Sequence, residues 1–193
     1  FPVIRSEILL SERITGKTAL KRPRKYPRSL PKNDDYFVVG EKSERTYAVL
    51  SRGAYHVSIA ENGGGNARFG EIQVYRKSGV RLMAIVGAAR YEIMSGGVTT
   101  FSEREVAVAF DKPVLCGEIV ARAFSGVCGE MRKVTIRNRS DVSVRVTIEA
   151  SCEPVLGCEE DDEAHREFYS MKLGFERKDN YVVAFRKETS TYA

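Results

Sequence analysis

The stretch that decides the fold covers residues 131–186 and reads MRKVTIRNRSDVSVRVTIEASCEPVLGCEEDDEAHREFYSMKLGFERKDNYVVAFR. Its first part alternates β-branched residues with polar or charged ones, at Val134, Ile136, Val142, Val144, Val146 and Ile148. Alternation with a period of two predicts strands with one buried and one solvated face. The polar cluster at residues 138–141 is typical of a turn, so we expect the two strands to form a hairpin.

Most of the rest of the chain also consists of short strand-like segments separated by turns. After the hairpin, the acidic run at residues 159–163 is expected to be solvated, with a single helical turn over residues 159–164, and strands follow at 168–175 and 181–185. Upstream, short strands are predicted at residues 36–39, 46–50, 54–60, 70–76, 80–86, 89–94, 98–101, 104–110 and 115–124. Many short strands separated by glycine turns predict an all-β fold, a large sandwich of two antiparallel sheets.

The N-terminal region differs from this pattern. Ile4, Ile8 and Leu9 share one helical face and Ser6 is a candidate cap, which predicts a short N-terminal helix. Residues 17–32 hold seven Lys or Arg, no acid and three prolines. This favours an extended linker over a nucleic-acid-binding arm. We therefore expect a helix and linker over residues 1–35 and a β-sandwich domain over residues 36–193, together forming a piece of a longer protein.

Candidate catalytic chemistry is sparse. The two histidines, His56 and His165, have no G-x-S-x-G elbow to pair with, so no Ser-His-Asp triad is predicted. Four cysteines, at positions 116, 128, 152 and 158, lack C-x-x-C spacing and are expected to be reduced thiols, mostly buried in strands; a Cys152–Cys158 disulfide is the alternative. No catalytic residue, metal or cofactor is predicted. The 193 residues carry no signal peptide pattern and no long apolar run, which predicts a cytoplasmic location.

Two motifs carry a family resemblance. The order strand, N-x-S-D, strand, E-x-V-L, acidic loop, H-x-x-F and two closing strands resembles the β-sandwich domain that precedes the barrel in glycoside hydrolase family 94. The matching positions are Asn138, Ser140, Asp141, Glu153, Val155, Leu156, His165 and Phe168. The family's Y-x-V strand with a G-G-G-Y-S-R-W loop is matched at Tyr55, Val57, Gly63, Gly64, Gly65 and Arg68, whereas Asn66, Ala67 and Phe69 replace its Tyr, Ser and Trp.

This resemblance implies a super-sandwich, galactose-mutarotase-like domain without catalytic residues. Its parent would be a cyclic β-1,2-glucan synthase or a related glucan phosphorylase, anchored at the inner membrane through other domains. The domain would pack on the catalytic (α/α)6 barrel of the same chain and help shape the glucan site; the alternative is a self-sufficient carbohydrate-binding module. The residues implied in substrate or interdomain contact are Gly63, Gly64, Gly65, Asn66, Arg68, Phe69 and His165.

The partners expected from this interpretation are the barrel, a glucan oligosaccharide and a second subunit, with no nucleic acid and no direct membrane insertion. An exposed apolar patch is the expected signature of a domain that packs on a barrel.

Overall fold

The computed structural model describes residues 3–10, 47–124, 129–178 and 181–187. Within these ranges the elements are β1 (Val3–Leu10), β2 (Tyr47–Arg52), β3 (Tyr55–Ala60), β4 (Ala67–Phe69), β5 (Ile72–Tyr75), β6 (Arg81–Val86), β7 (Ala89–Glu92), β8 (Val98–Phe101), β9 (Val106–Asp111), β10 (Leu115–Phe124), β11 (Gly129–Asn138), β12 (Val144–Ser151), β13 (Pro154–Gly157), α1 (Glu159–Ala164), α2 (Arg166–Met171), β14 (Leu173–Arg177) and β15 (Val182–Arg186). No helix of this described part is long and apolar enough to cross a bilayer.

The strands pair antiparallel in three larger sheets and one hairpin. The sheet orders are β1-β12-β6-β7, β11-β10-β9-β8 and β13-β5-β4-β3-β2, and β14 pairs with β15. The strands β9, β10 and β11 run as a meander, in register from Cys116↔Asp111 on one side and from Leu115↔Asn138 on the other. The prediction of an all-β antiparallel sandwich is confirmed, with the strands divided among more sheets than the two expected.

A single hydrophobic core joins the three larger sheets. Burial alternates along β9 and β10, as the period-2 pattern predicts. The cluster collects fully buried side chains from every one of these sheets, among them Val57, Ile59, Phe110, Ile119 and Val146. Burying one such side chain contributes about 1.5–3 kcal/mol, so this core is the main source of stability.

The predicted hairpin between the strands of residues 131–148 is wrong, because β11 and β12 lie in different sheets. Residues 138–143 instead carry the chain from one sheet to the other. The buried Asn138 holds this bend: its Nδ2 donates to the carbonyl of Val142 at 2.8 Å, and its Oδ1 accepts from the backbone N–H of Ser140 at 2.9 Å. An Asn-stabilised bend has the same sequence pattern whether or not its flanking strands pair, so the turn was recognisable and the pairing was not.

Two further secondary-structure predictions are corrected. Val3–Leu10 form a strand and not a helix, paired with β12 from Val3↔Ser151 to Leu10↔Val144. The edge of β12 supplies a full ladder of hydrogen bonds, whereas an isolated helix of two turns is marginal. The expected strand at 168–175 begins later, because Arg166–Met171 form α2. The predicted helical turn at residues 159–164 is observed as α1, while the linker and the strand at 36–39 fall outside the described residues.

We predict that Asn138→Ala lowers the free energy of unfolding by about 1–3 kcal/mol, because the bend loses the two hydrogen bonds that the buried amide of Asn138 makes to the carbonyl of Val142 and to the N–H of Ser140, each contributing about 0.5–1.5 kcal/mol. Asn62→Ala is the matched control: Asn62 makes the same kind of bond to the N–H of Gly64, at 3.0 Å, but it is exposed. We expect the control to cost less than about 1 kcal/mol. Urea unfolding of the two variants measures the difference, and equal losses would contradict this role of Asn138.

Candidate functional site

A polar cleft of about 260 Å³ lies between the end of β5, the loop that follows it, and the two helices. We call it the α1 cleft. Its lining consists of polar and charged side chains: Gln73, Arg76, Lys77, Ser78, Glu159, Asp162, Glu163 and Arg166.

The buried guanidinium of Arg76 is hydrogen-bonded to several side chains around the cleft. Its Nε and Nη2 donate to the two carboxylate oxygens of Asp162 at 2.8 and 2.6 Å. Nη1 donates to Glu153 at 3.0 Å, and Nη2 also donates to the hydroxyl of Ser170 at 3.1 Å. The hydrogen bond to Asp162 raises the pKa of Arg76, so this group stays charged. The bidentate geometry fixes α1 against the end of β5.

The outer side of α1 is held by two more basic residues. Glu159 forms ion pairs with Arg68 and with Lys77 Nζ, the latter at 3.0 Å, and Lys77 also reaches Glu163 at 2.9 Å. The expectation that the acidic run is solvated is therefore corrected: Asp162 is buried, and three of the five acids are ion-paired to the sheet. Acidic residues in the first turn also suit the dipole of α1.

A β-bulge orients Gln73 away from the core. Ala67 pairs with Tyr75, but its neighbour Arg68 pairs with Gln73, so β5 has one extra residue, Val74. Consecutive residues of β4 point to opposite faces, and their partners must do the same. Tyr75 therefore packs in the core with Ala67, while Gln73 shares the face of Arg68. Without the bulge, the alternation of a regular strand would have placed the side chains of Gln73 and Tyr75 on the same face of the sheet.

Two buried polar atoms, on residues that line the cleft, have no hydrogen-bond partner. Gln73 is only 2% exposed, and its Oε1 accepts no hydrogen bond. The buried hydroxyl of Ser78 likewise has no partner. Among the described side chains, the buried oxygen and nitrogen atoms lacking a hydrogen bond are these two, and both residues line the α1 cleft.

The glycine loop singled out in the sequence supports the backbone of this cleft. The N–H of Gly65 donates to the carbonyl of Lys77 at 2.9 Å, and Gly65 bridges to Ser78. Gly65 has φ +142°, and a Cβ there would overlap the carbonyl oxygen of Ser58. Gly63, with φ +78°, lies against Met94. Such close backbone approach requires glycine, and it fixes the loop that carries Lys77 and Ser78.

The other residues suggested by the sequence are dispersed. Arg68 lies beside the cleft through its ion pair with Glu159. Asn66 accepts from the hydroxyl of Ser58 at 2.7 Å, and Phe69 is exposed at the end of β4. His165 is exposed at the junction of α1 and α2, where its backbone N–H donates to Asp161. Phe69 and His165 are not part of the cleft lining.

Sequence reasoning missed Gln73, Arg76 and Lys77. The one available signal was charge complementarity between Arg76-Lys77 and the acidic run, and it spans 86 positions from Arg76 to Asp162. Residues so far apart in the chain form no local sequence pattern, so the ion pair between Arg76 and Asp162 was not recognisable from the sequence.

A second polar cluster, inside the sandwich, is structural. The hydroxyl of Tyr75 donates to Glu130 at 3.0 Å, and Arg132 binds the same carboxylate at 3.2 Å. Burial, with the Glu130 carboxylate adding to it, raises the pKa of Tyr75 and of Tyr55. Both phenols therefore stay protonated at neutral pH.

An apolar surface lies at the C-terminal end of the described chain. It consists of exposed side chains of α2, β14, β15 and the turn between the two strands: Phe168, Met171, Phe175, Tyr181 and Phe185. We call it the C-terminal apolar surface. Phe175 pairs with Ala184, and Phe185 pairs with Gly174, so the two rings occupy opposite faces of the hairpin. A hairpin that exposes aromatic rings on both faces has little core of its own.

The cysteines in the described ranges are free thiols, so the alternative of a Cys152–Cys158 disulfide is not observed. Cys116 and Cys152 are partly buried and Cys158 is exposed at the start of α1, whereas Cys128 falls outside the described residues. Within the same ranges, no group of three or more His, Cys, Asp or Glu side chains is arranged to hold a metal ion.

Part of the chain matches a known family. Residues 126–192 match the model of the glycosyl hydrolase 94 supersandwich domain, about a third of the chain. The matched segment contains β11 to β15 and both helices. The match confirms the resemblance to the β-sandwich domain of this family. No curated protein matches the sequence.

We predict that Arg76→Met lowers the free energy of unfolding by about 3–5 kcal/mol, because it leaves the buried carboxylate of Asp162 without its counter-charge. Lys77→Met is the control, since Lys77 is 68% exposed and its surface ion pairs contribute less than about 1 kcal/mol. The double change Arg76→Met with Asp162→Leu removes both buried charges and should recover much of the loss. Denaturant unfolding tests this, and a double variant no more stable than Arg76→Met would contradict it.

We further predict that Cys152 reacts with iodoacetamide more slowly than Cys158 at pH 8. Burial raises the pKa of Cys152, which lowers the fraction of reactive thiolate, and Cys152 is partly buried whereas Cys158 is exposed. Peptide mapping of the alkylated chain gives both rates, and the gap should disappear in urea. Equal rates in the folded protein would contradict the burial of Cys152.

Proposed function

We propose that this chain is a non-catalytic supersandwich domain of a larger glycosyl hydrolase 94-type enzyme. In this proposal it packs on the helical catalytic barrel of the same parent chain and helps shape a glucan site. The parent would be a cyclic β-1,2-glucan synthase or a related glucan phosphorylase. The observation that carries the proposal is the C-terminal apolar surface, which lies within the segment that matches the family.

The exposure of this surface supports a docking role. Four apolar side chains within a short segment of the chain are exposed: Phe168 by 57%, Met171 by 72%, Phe175 by 48% and Phe185 by 43%. Several exposed apolar side chains on α2 and on both faces of the closing hairpin are characteristic of a segment that packs against a partner. Aromatic rings and Met are the side chains that most often form the centre of such interfaces.

The charged residues around the exposed rings indicate what kind of partner would bind there. Exposed basic residues accompany the rings, at Arg177, Lys178 and Lys187, and Glu176 is paired with Lys178. A second copy of the same basic surface would repel it, and the basic stretch at residues 17–32 would do so as well. The complementary partner is therefore an apolar surface with an acidic rim, which we assign to the barrel.

The state of the acidic residues supports a non-catalytic role. Inverting or retaining glycosidic chemistry requires two carboxyl groups held apart across the scissile bond. The carboxylates that line the α1 cleft are instead engaged in ion pairs with Arg68, Arg76 and Lys77. In the proposed arrangement the reaction takes place in the barrel.

The test is the double change Phe175→Ser with Phe185→Ser in the parent enzyme. If the rings dock on the barrel, the change should weaken the contact between the domains by about 2 kcal/mol or more, lowering both the barrel's unfolding temperature and glucan turnover. Because each ring is more than half buried in the isolated chain, the same change there measures the loss of packing within the domain, and docking predicts a larger loss in the parent enzyme than in the isolated chain.

Val142→Ser is the matched control for this experiment. Val142 is 67% exposed and lies at the bend between β11 and β12, away from the C-terminal apolar surface. The control should leave the barrel unaffected. A double variant that behaves like Val142→Ser in the parent enzyme would overturn the proposed docking.

A further inference from the structure

We propose that this chain binds a second copy of itself through the outer face of the sheet β11-β10-β9-β8. We call this surface the outer sheet face. The inference goes beyond the proposed function and does not rest on it, because the C-terminal apolar surface belongs to other elements. It follows from an apolar centre, from unpaired charges beside that centre, and from the extent of the face.

The centre of the outer sheet face is apolar. Alternate residues of β9 are buried in the core, so Ala107 and Ala109 point to the opposite, outer side. The register places Val98 of β8 beside Ala109, and Val120 of β10 beside Ala107. All four side chains are at least partly exposed, and none of them belongs to the core of the described residues. The solvated face of an antiparallel sheet is usually polar, so an apolar centre indicates a surface that a partner covers.

Two larger side chains extend the apolar area along β10 and β11. Met131 pairs with Arg122, and Phe124 follows Arg122 by two residues on the same face. Met131 is 40% exposed and Phe124 is 46% exposed, while Val98 at the other side of the face is 49% exposed. Sheets pack on one another through side chains of this kind, which interdigitate across a distance of about 10 Å.

The unpaired charges beside the apolar centre favour a second copy of the same face as the partner. Glu118 pairs with Thr135, so Lys133 and Arg137 are its diagonal neighbours on β11. Within the described ranges, the side chains of Glu118, Lys133 and Arg137 have no ion pair or hydrogen bond. The outer sheet face therefore presents one acid and two bases that are available to a partner.

Self-association satisfies charges of both signs. In a two-fold symmetric contact, Glu118 of each copy can meet Lys133 or Arg137 of the other, so every favourable contact occurs twice. A purely acidic partner would be repelled by Glu118, and a purely basic one by the two bases. The other charges of this face are already paired within the chain, Asp111 with Arg139 and Arg122 with Glu105.

The extent of the outer sheet face suits a weak dimer. β10 and β11 are ten residues long and β9 is six residues long. At about 3.4 Å per residue and about 4.8 Å between strands, the four strands offer a flat area on the order of 500 Å² per copy. This is smaller than the ~800 Å² per partner of a standard interface. We therefore expect a dimer that dissociates at micromolar concentrations.

The test is sedimentation equilibrium of the full chain from about 1 to 300 µM, where we expect a change from monomer to dimer. Glu118→Lys gives each dimer two like-charged contacts, so it should weaken self-association about tenfold or more. The double change Lys133→Glu with Arg137→Glu should do the same. When the two variants are mixed, opposite charges meet at both contacts, and a heterodimer as tight as the original dimer should form.

Glu71→Lys is the matched control. It makes the same charge change as Glu118→Lys at an exposed position in the turn between β4 and β5, outside the outer sheet face. This variant should dimerise like the unchanged chain. Urea unfolding of all variants checks that they are folded, which we expect because the changed side chains are exposed.

Three outcomes would overturn the proposal. The first is an unchanged chain that stays monomeric over the whole concentration range. The second is a dimer that Glu118→Lys affects no more than Glu71→Lys does, or a mixture of the two charge variants that forms no heterodimer. The third is a dimer that Phe175→Ser with Phe185→Ser abolishes while Glu118→Lys leaves it intact, because association would then occur at the C-terminal apolar surface. Since the proposed docking on a barrel is tested on those two rings, a monomeric chain leaves it standing.

Discussion

The buried guanidinium of Arg76 is the interaction on which the C-terminal part of the structure depends. A charge removed from water is tolerated only when its hydrogen-bonding groups are matched, and Arg76 is matched by Glu153, Asp162 and Ser170. These partners belong to the segment before β13, to α1 and to α2. Both helices are six residues long, too short to be stable alone. Their position on the sheet therefore depends on tertiary contacts, and this one side chain contacts both helices.

The loop that begins at Arg76 is in turn held by backbone contacts of Lys77, Ser78 and Gly79 with the glycine loop. Gly65 lies against Ser58, and a Cβ on Gly79 would come within 2.6 Å of the carbonyl oxygen of Gly63. Only glycine allows two chain segments to approach so closely. The loop that follows β5 is thus held by its main chain, which leaves the side chains of Arg76, Lys77 and Ser78 free to face the helices. A loop conformation near β3 thereby determines the shape of a cleft formed with α1.

The two candidate surfaces meet at α2. Arg166 of this helix lines the polar cleft, whereas Phe168 and Met171 belong to the C-terminal apolar surface. The segment that matches the glycosyl hydrolase 94 supersandwich domain contains α2 and both strands of the closing hairpin. The C-terminal apolar surface and the charged lining of the α1 cleft thus involve the same short helix. Anything that shifts α2 would act on both.

The sequence alone determined the strand content, the glycine loop and the family resemblance, because each depends on neighbouring residues. The strand content follows from the alternation at Val144, Val146 and Ile148. The glycine loop follows from residues such as Gly63, which can adopt a positive φ. It did not determine which strands pair. The same alternating residues fit a hairpin as well as the observed arrangement, in which β12 pairs with β1 and β6. Nor did it indicate the bulge at Val74, which turns Gln73 toward the cleft, or the pairing of Arg76 with Asp162. These features join residues far apart in the chain, and their free energy exists only once the sheets have packed, so the tertiary structure alone decided them.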